Sequence, residues 1–311
     1  MKGNQFMSNI IEVKGINKSY NTKSVLKEIS LSVKENSILG LIGENGAGKT
    51  TLIKSILGLI TVSKGTVLIQ GKRVDNNEDH ILNNVGFLLE PRYYSYLSTY
   101  NNLKSILILS GKYTNNSDNE INNILDFLSL SEVKKRKVNK FSFGMKQRVG
   151  LAQALITKPN ILILDEPLVG LDPSGTDLFK QKIRELYNAH KCTIIFSSHQ
   201  LNDIQELCSE VAVLKNGKIL VHDKTENLVE NITEFIFEKP IDKIAEEIIA
   251  LGKKVHLSED KRILSVNESD SISFKLISDL YSESMLINIE NKKVGLEKYF
   301  GKEIVHESLK I

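Results

Sequence analysis

An α/β fold with buried parallel strands, followed by a small α+β appendage, is what this 311-residue sequence predicts, and three observations predict it. The runs Ile38-Leu39-Gly40-Leu41-Ile42 and Ile161-Leu162-Ile163-Leu164 are continuously apolar, the pattern of strands covered on both faces. The first run passes through a glycine-rich loop, residues 43–51, directly into a helical stretch. Beyond about residue 225 glycines nearly vanish, and the patterning reads strand, helix, strand, strand, helix, strand.

Composition sets the outer limits. The chain is long enough for one large or two ordinary domains, and 41% hydrophobic with 25% charged residues is the balance of a soluble globular protein. A net charge of +3 is too small to argue for a nucleic-acid partner. Apolar stretches such as Ile106-Leu107-Ile108-Leu109 fall far short of the roughly 20 residues that cross a bilayer. Residues 1–8 are polar and lack the apolar core of a secretion signal, so a cytoplasmic location is expected. Cys192 and Cys208 flank apolar segments without metal-ligand spacing and are expected to be buried, reduced thiols.

In chain order, Ile10-Ile11-Glu12-Val13 and Ile29-Ser30-Leu31-Ser32-Val33 alternate with period two and predict antiparallel strands. Tyr20 lies between them, placed either to stack on an adenine or to pack across the strands. In the loop, Gly43, Gly46 and Gly48 let the backbone curl with its N–H groups inward, and a helix starting near Lys49 adds the positive end of its dipole. The stretch Gly43, Asn45, Gly46, Ala47, Gly48 is therefore read as a cradle for polyphosphate. Lys49 would reach the β- and γ-phosphates, Thr50 would put a hydroxyl on Mg²⁺, and Thr51 would add a donor near the α-phosphate. A glycine-rich turn that contains Gly-Lys-Thr by chance is the competing explanation, and the flanking strand and helix argue against it.

The helix over 50–57 closes at Gly58, and 66–69 and 85–89 read as strands. The second ends in Glu90, held extended by Pro91. Arg92, Tyr93, Tyr94, Tyr96 and Tyr100 follow in a loop that is either a partner-binding surface or packed on itself. Residues 101–111 and 118–130 predict a small helical lobe, and the basic run 134–137 reads as a solvated loop face rather than a nucleic-acid contact, because it is short and the overall charge is low. Residues 141–148 open a helix over 149–157, with Ser142 placed to cap it and the backbone at Gly144 free to approach an anion. Strand 161–164 delivers two carboxylates: Asp165 would hold Mg²⁺ and Glu166 would polarise the attacking water. After a turn at 170–173, a helix over 175–188 carries Leu178, Ile183, Leu186 and Tyr187 as its apolar positions. Strand 193–196 delivers Ser197, Ser198 and His199 to the crevice at the strands' carboxyl ends. Strands 211–214 and 218–221 flank Asn216-Gly217, a strong hairpin signal, which ends the first domain. The appendage reads as strands at 234–238, 254–258, 262–267 and 286–290 with helices over 240–251 and 270–283, a ferredoxin-like βαββαβ plan.

The phosphate loop, the segment Phe141-Ser142-Phe143-Gly144-Met145-Lys146-Gln147-Arg148, the strand ending in Asp165-Glu166 and the later His199, in that order, resemble an ABC-type ATPase over residues 8–225, with an accessory domain at 232–311. The resemblance implies a P-loop ATPase domain with an antiparallel β subdomain and a helical subdomain. It implies a head-to-tail homodimer in which each ATP lies between one copy's phosphate loop and the other's signature helix. Ser142 and Gly144 would then contact the γ-phosphate, Tyr20 would stack on adenine, and Asp172 would lie in the inter-subunit loop. Glu166 would be the general base, His199 the switch histidine, and Lys49 would complete the catalytic set.

Two departures stand out. The signature reads Phe-Ser-Phe-Gly-Met rather than Leu-Ser-Gly-Gly-Gln, while keeping Ser142 and Gly144. Glu90 stands where the family normally has Gln, and a carboxylate there would bind Mg²⁺ more strongly. This Glu variant, the 142–148 wording, Gly150-Leu151-Ala152-Gln153-Ala154-Leu155 and the appended domain look like the subunits that protect Gram-positive bacteria against lantibiotics and bacitracin. The resemblance therefore implies ATP hydrolysis on the inner face of the cell membrane, powering a separate permease that expels an antimicrobial peptide. The alternatives are a drug or lipid exporter, or a soluble ABC ATPase of translation or repair.

Overall fold

Alternating apolar residues at the start of the chain form a long hairpin in the computed structural model. β1 (Asn9–Tyr20) pairs antiparallel with β2 (Lys23–Lys34). The described residues are 9–74, 84–90, 92–240, 255–258, 260, 262–267, 286–296 and 299, and the chain divides into two units, Met1–Lys224 and Thr225–Ile311.

In the first unit, β1 also pairs with β4 (Lys64–Ile69), and β4 with β5 (Lys72–Arg73), giving an antiparallel sheet in the order β2-β1-β4-β5. The predicted strands at 10–13 and 29–33 are extended because register shifts along β1 let pairing continue through its polar end. Tyr20 is thus the last residue of a strand, paired with Lys23 across a two-residue turn. The continuously apolar runs become β3 (Ile38–Ile42), β7 (Ile161–Leu164) and β8 (Thr193–Ser198), buried along their lengths. With β6 (Val85–Leu88), β9 (Glu210–Lys215) and β10 (Lys218–Lys224) they form a sheet ordered β10-β9-β3-β8-β7-β6. All neighbours in it are parallel except the β9–β10 hairpin, whose turn puts Asn216 and Gly217 at φ 51° and 77°.

Helix α1 (Lys49–Ile56) lies between the two sheets: its Leu52, Ile53 and Ile56 share one buried cluster with Ile11 and Leu31 of the first sheet and with Leu41, Ile163 and Ile195 of the second. Each such side chain contributes about 1.5–3 kcal/mol by leaving water. The loop before α1 is therefore clamped from both sides.

The helical lobe comprises α2 (Thr99–Leu109), α3 (Ser117–Phe127) and α4 (Phe143–Leu155). α4 starts at Phe143, where Ser142 caps it as expected by accepting from Met145 N–H at 3.3 Å, so the opening segment before 149 is itself helical. Ser98 caps α2 in the same way. Asn102, buried on α2, accepts from Tyr94 N–H at 2.8 Å and donates to Tyr94 O at 3.1 Å and Ser98 O at 3.0 Å. The tyrosine loop is thereby pinned by its backbone, while Tyr94 and Tyr96 stay exposed. Two further helices follow, α5 (Pro173–His190) and the short α6 (Leu201–Leu207), which periodicity did not reveal and which packs on β3 and β8. The face that α5 buries carries Phe179, Lys180 and Ile183. Leu178, Leu186 and Tyr187 are only half-buried. Both cysteines are free and buried, and burial pushes the Cys192 thiol up to about 12.

The second unit begins with α7 (Thr225–Leu228) and contains β11 (Glu230–Phe237), β12 (Val255–Leu257), β13 (Ile263–Asn267) and β14 (Leu286–Val294). These pair antiparallel in the order β12-β13-β11-β14, the arrangement of the split βαββαβ plan. The helices expected over 240–251 and 270–283 lie outside the described residues, apart from Pro240. No helix among the described residues is long and apolar enough to cross a membrane.

Candidate functional site

The loop from β3 to α1 takes its shape from its glycines. A Cβ on Gly43 would lie 2.4 Å from Leu214 O, while Gly46 and Gly48 adopt φ 84° and 111°. Gly48 is also the N-cap of α1, so the helix's free N–H groups open into the loop that Asn45 and Ala47 complete. Ala47 O accepts from Gly217 N–H at 3.2 Å, tying the loop to the β9–β10 turn. Thr51 follows within the first turn of α1.

Five side chains converge at the carboxyl ends of β7 and β8 and the start of α1. Lys49, 6% exposed, directs Nζ into the loop, 2.6 Å from Gly43 O, 3.3 Å from Glu44 O and 3.0 Å from Glu166 Oε1. Thr50 Oγ1 donates to Asp165 Oδ2 at 2.7 Å, and His199 Nδ1 lies 2.9 Å from Glu166 Oε2. Lys49, Thr50, Asp165, Glu166 and His199 are thus linked by direct contacts, although 116 positions separate Lys49 from Asp165 in the chain. Glu166 has φ 47°, a conformation that costs an L-residue about 1–2 kcal/mol and that turns the chain sharply out of β7.

Other sequence-derived residues stand around this cluster. Glu90 is exposed just past the end of β6, the strand next to β7, where Asp165 N–H donates to Leu88 O at 2.8 Å. Tyr20 is 47% exposed, with Lys18 Nζ 5.0 Å from its ring centre. The Ser142 hydroxyl is engaged in its own helix cap, and Gly144 lies in the first turn of α4, near Leu171. Asp172 is the N-cap residue of α5; the Ser174 hydroxyl donating to it at 2.7 Å holds its carboxyl below the usual range.

Phe143, which replaces the family's small residue, finds its room at Gly170: a Cβ there, at φ 78°, would come within 2.9 Å of the ring. Ser197 has a part in the site that the sequence reading did not assign. Its hydroxyl donates to Asp165 Oδ1 at 2.7 Å and accepts from Glu166 N–H at 2.8 Å. The available signal was a pair of hydroxyl residues closing an otherwise apolar buried strand.

A glycine loop at a helix start, a hydroxyl bonded to a buried carboxylate and a second carboxylate facing lysine and histidine, all on a parallel sheet, define an ATPase of the P-loop class. Residues 26–169 match the family described as ABC transporter. The bacitracin transport ATP-binding protein BcrA of Enterococcus faecalis is 32% identical over 305 residues, covering 96% of this chain and 97% of its own. The lantibiotic transport ATP-binding protein SrtF of Streptococcus pyogenes is 34% identical over 238 residues, covering 74% of this chain and 99% of its own. The solved structure of cbiO1 from Clostridium perfringens, part of the ABC transporter complex cbiONQ, is similar with a TM-score of 0.64 and 27% identity, covering 70% of this chain and 90% of that one. This chain belongs to the ATP-binding proteins of ABC transporters, and within them it is similar to the bacitracin and lantibiotic subgroup.

Proposed function

We propose that this chain binds and hydrolyses ATP as a homodimer on the inner face of the cell membrane, and drives a separate permease that expels a peptide antibiotic of the bacitracin or lantibiotic kind. The observation that carries the ATPase part is the direct linkage of Lys49, Thr50, Asp165, Glu166 and His199. The peptide part rests on the relatives' transport roles. The proposed domain division, an ATPase cassette at 8–225 and an accessory domain at 232–311, leaves every one of these residues in the first domain.

In this reading Lys49 gives up Gly43 O, Glu44 O and Glu166 for the β- and γ-phosphates, while the loop N–H groups of Gly43 to Thr51 and the α1 dipole hold the remaining phosphate oxygens. The donor set fits magnesium: the Thr50 hydroxyl and the nearly buried Asp165 carboxylate already share a bond, and Glu90 stands at the next strand's exit. Those three oxygens would hold the ion, which would neutralise charge on the phosphates. Glu166 orients and accepts a proton from the attacking water, and His199 holds its carboxylate in place. Tyr20 stacks on the adenine. Ser142, Gly144 and Asp172, at two exposed helix starts, belong to the face that meets the second copy's nucleotide. Glu90 and the pinned tyrosine loop receive the permease.

Glu166→Gln tests the core of this reading. The variant should bind ATP, lose steady-state phosphate release by at least about 100-fold, and accumulate as an ATP-dependent dimer on size-exclusion chromatography. Undiminished hydrolysis would overturn it. Recovery of a membrane permease with the tagged chain supports the partner; recovery of ribosomes instead counts against it.

A further inference from the structure

We infer that Ser197 is a positioning residue for ATP hydrolysis, setting the geometry of both carboxylates through one hydroxyl; this rests on the reading in which Asp165 and Glu166 act on the bound nucleotide. β7 and β8 run parallel with Leu164 opposite Phe196, so Asp165, the first residue past β7, comes beside Ser197, which is still within β8 and pairs with Leu41 of β3. Ser197 is fully buried at 0% exposure, so its hydroxyl lies away from bulk solvent. A hydroxyl carries one proton and two lone pairs, an N–H can only donate and a carboxylate can only accept. The bonds to Asp165 Oδ1 at 2.7 Å and from Glu166 N–H at 2.8 Å are therefore compatible and each has one direction.

The consequences differ for the two acids. Asp165 is held from both sides, by Ser197 on Oδ1 and by Thr50 on Oδ2, so its plane is fixed relative to the phosphate loop. Glu166 is held at its backbone in the left-handed conformation at φ 47°, from which its carboxylate reaches both Lys49 and His199. His199 follows Ser197 by two residues, so the exit of β8 governs Glu166 at its N–H and at its carboxylate alike. Ser197 touches no reacting atom. It acts through the two acids.

The test compares Ser197→Ala and Ser197→Val, which lack the hydroxyl, with Ser197→Thr, which keeps it. Loss of the hydroxyl should lower kcat about 10-fold with KM for ATP changed less than about twofold, since misplacement of catalytic groups affects the reacting state more than binding. Thr should restore kcat to within about twofold of the parent. Fluorescent-nucleotide titration with and without Mg²⁺ gives a readout apart from turnover: the Ala and Val variants should gain less affinity from Mg²⁺ than the parent and Thr chains. Whichever hydroxyl-less variant folds, a parental kcat in it overturns the inference, and so does a Thr variant as slow as Ala. Glu166→Gln measured alongside separates the cases: an active Glu166→Gln removes the site reading itself, whereas an inactive one beside a fully active Ser197→Ala removes only the role of Ser197.

Discussion

Lys180 Nζ lies 2.7 Å from Asp203 Oδ1, with the two side chains only 8% and 5% exposed. Burial alone would push the lysine's pKa down; the bonds it donates to Asp203 and Glu206 outweigh this and leave it above the ordinary lysine value. This pair ties α5, which is capped by Asp172, to α6, which follows His199. Lys180→Met should cost about 3–5 kcal/mol, because Asp203 is left enclosed without a counter-charge. The double change Lys180→Met with Asp203→Leu should recover most of that loss. Urea denaturation of the two variants and the parent checks this, and equal losses in both would show that packing rather than charge dominates.

Glu90 offers a carboxylate where a neutral amide would serve nucleotide binding equally well in shape. Glu90→Gln should leave ATPase activity of the isolated chain within about threefold, while changing antibiotic resistance in cells that carry the permease. Resistance identical to the parent would strip the carboxylate of any special role.

The pH dependence of stability should carry a contribution from His222. Burial lowers its pKa below the ordinary 6.5, against the opposing pull of Glu210 at 3.7 Å, with Lys34 beside Glu210 and Asp223 adjacent in sequence. Between the depressed native value and 6.5 the unfolded chain holds a proton that the folded chain does not. Its stabilisation is therefore present above pH 6.5 and is lost as pH falls through the native value, with a slope no steeper than about 1.4 kcal/mol per pH unit. His222→Gln should flatten that part of the profile of urea midpoints between pH 7.5 and 5. An unchanged profile would assign the slope to other groups.

What was legible in the sequence follows from how local each cause is. β3, β7 and β8 announce themselves as apolar runs, and Asn216-Gly217 marks its hairpin, because strand burial and turn chemistry are written in adjacent residues. The phosphate loop and the two acids were readable for the same reason. Lys180 on the buried face of α5 was not, since its partner Asp203 lies on another helix and periodicity counts lysine as surface. Ser197 was hidden likewise: only the parallel register of β7 with β8 shows that its hydroxyl meets Asp165. The start of α4 was legible in a different way, through Ser142 as a cap rather than through apolar spacing.

The seat of Phe143 against Gly170 has a mechanical result. It couples the first turn of α4 to the stretch just before α5, so Ser142 and Asp172 are carried on segments that cannot shift independently. A second copy docking on them would meet a surface whose disorder was already lost when the chain folded, and association would cost correspondingly less entropy.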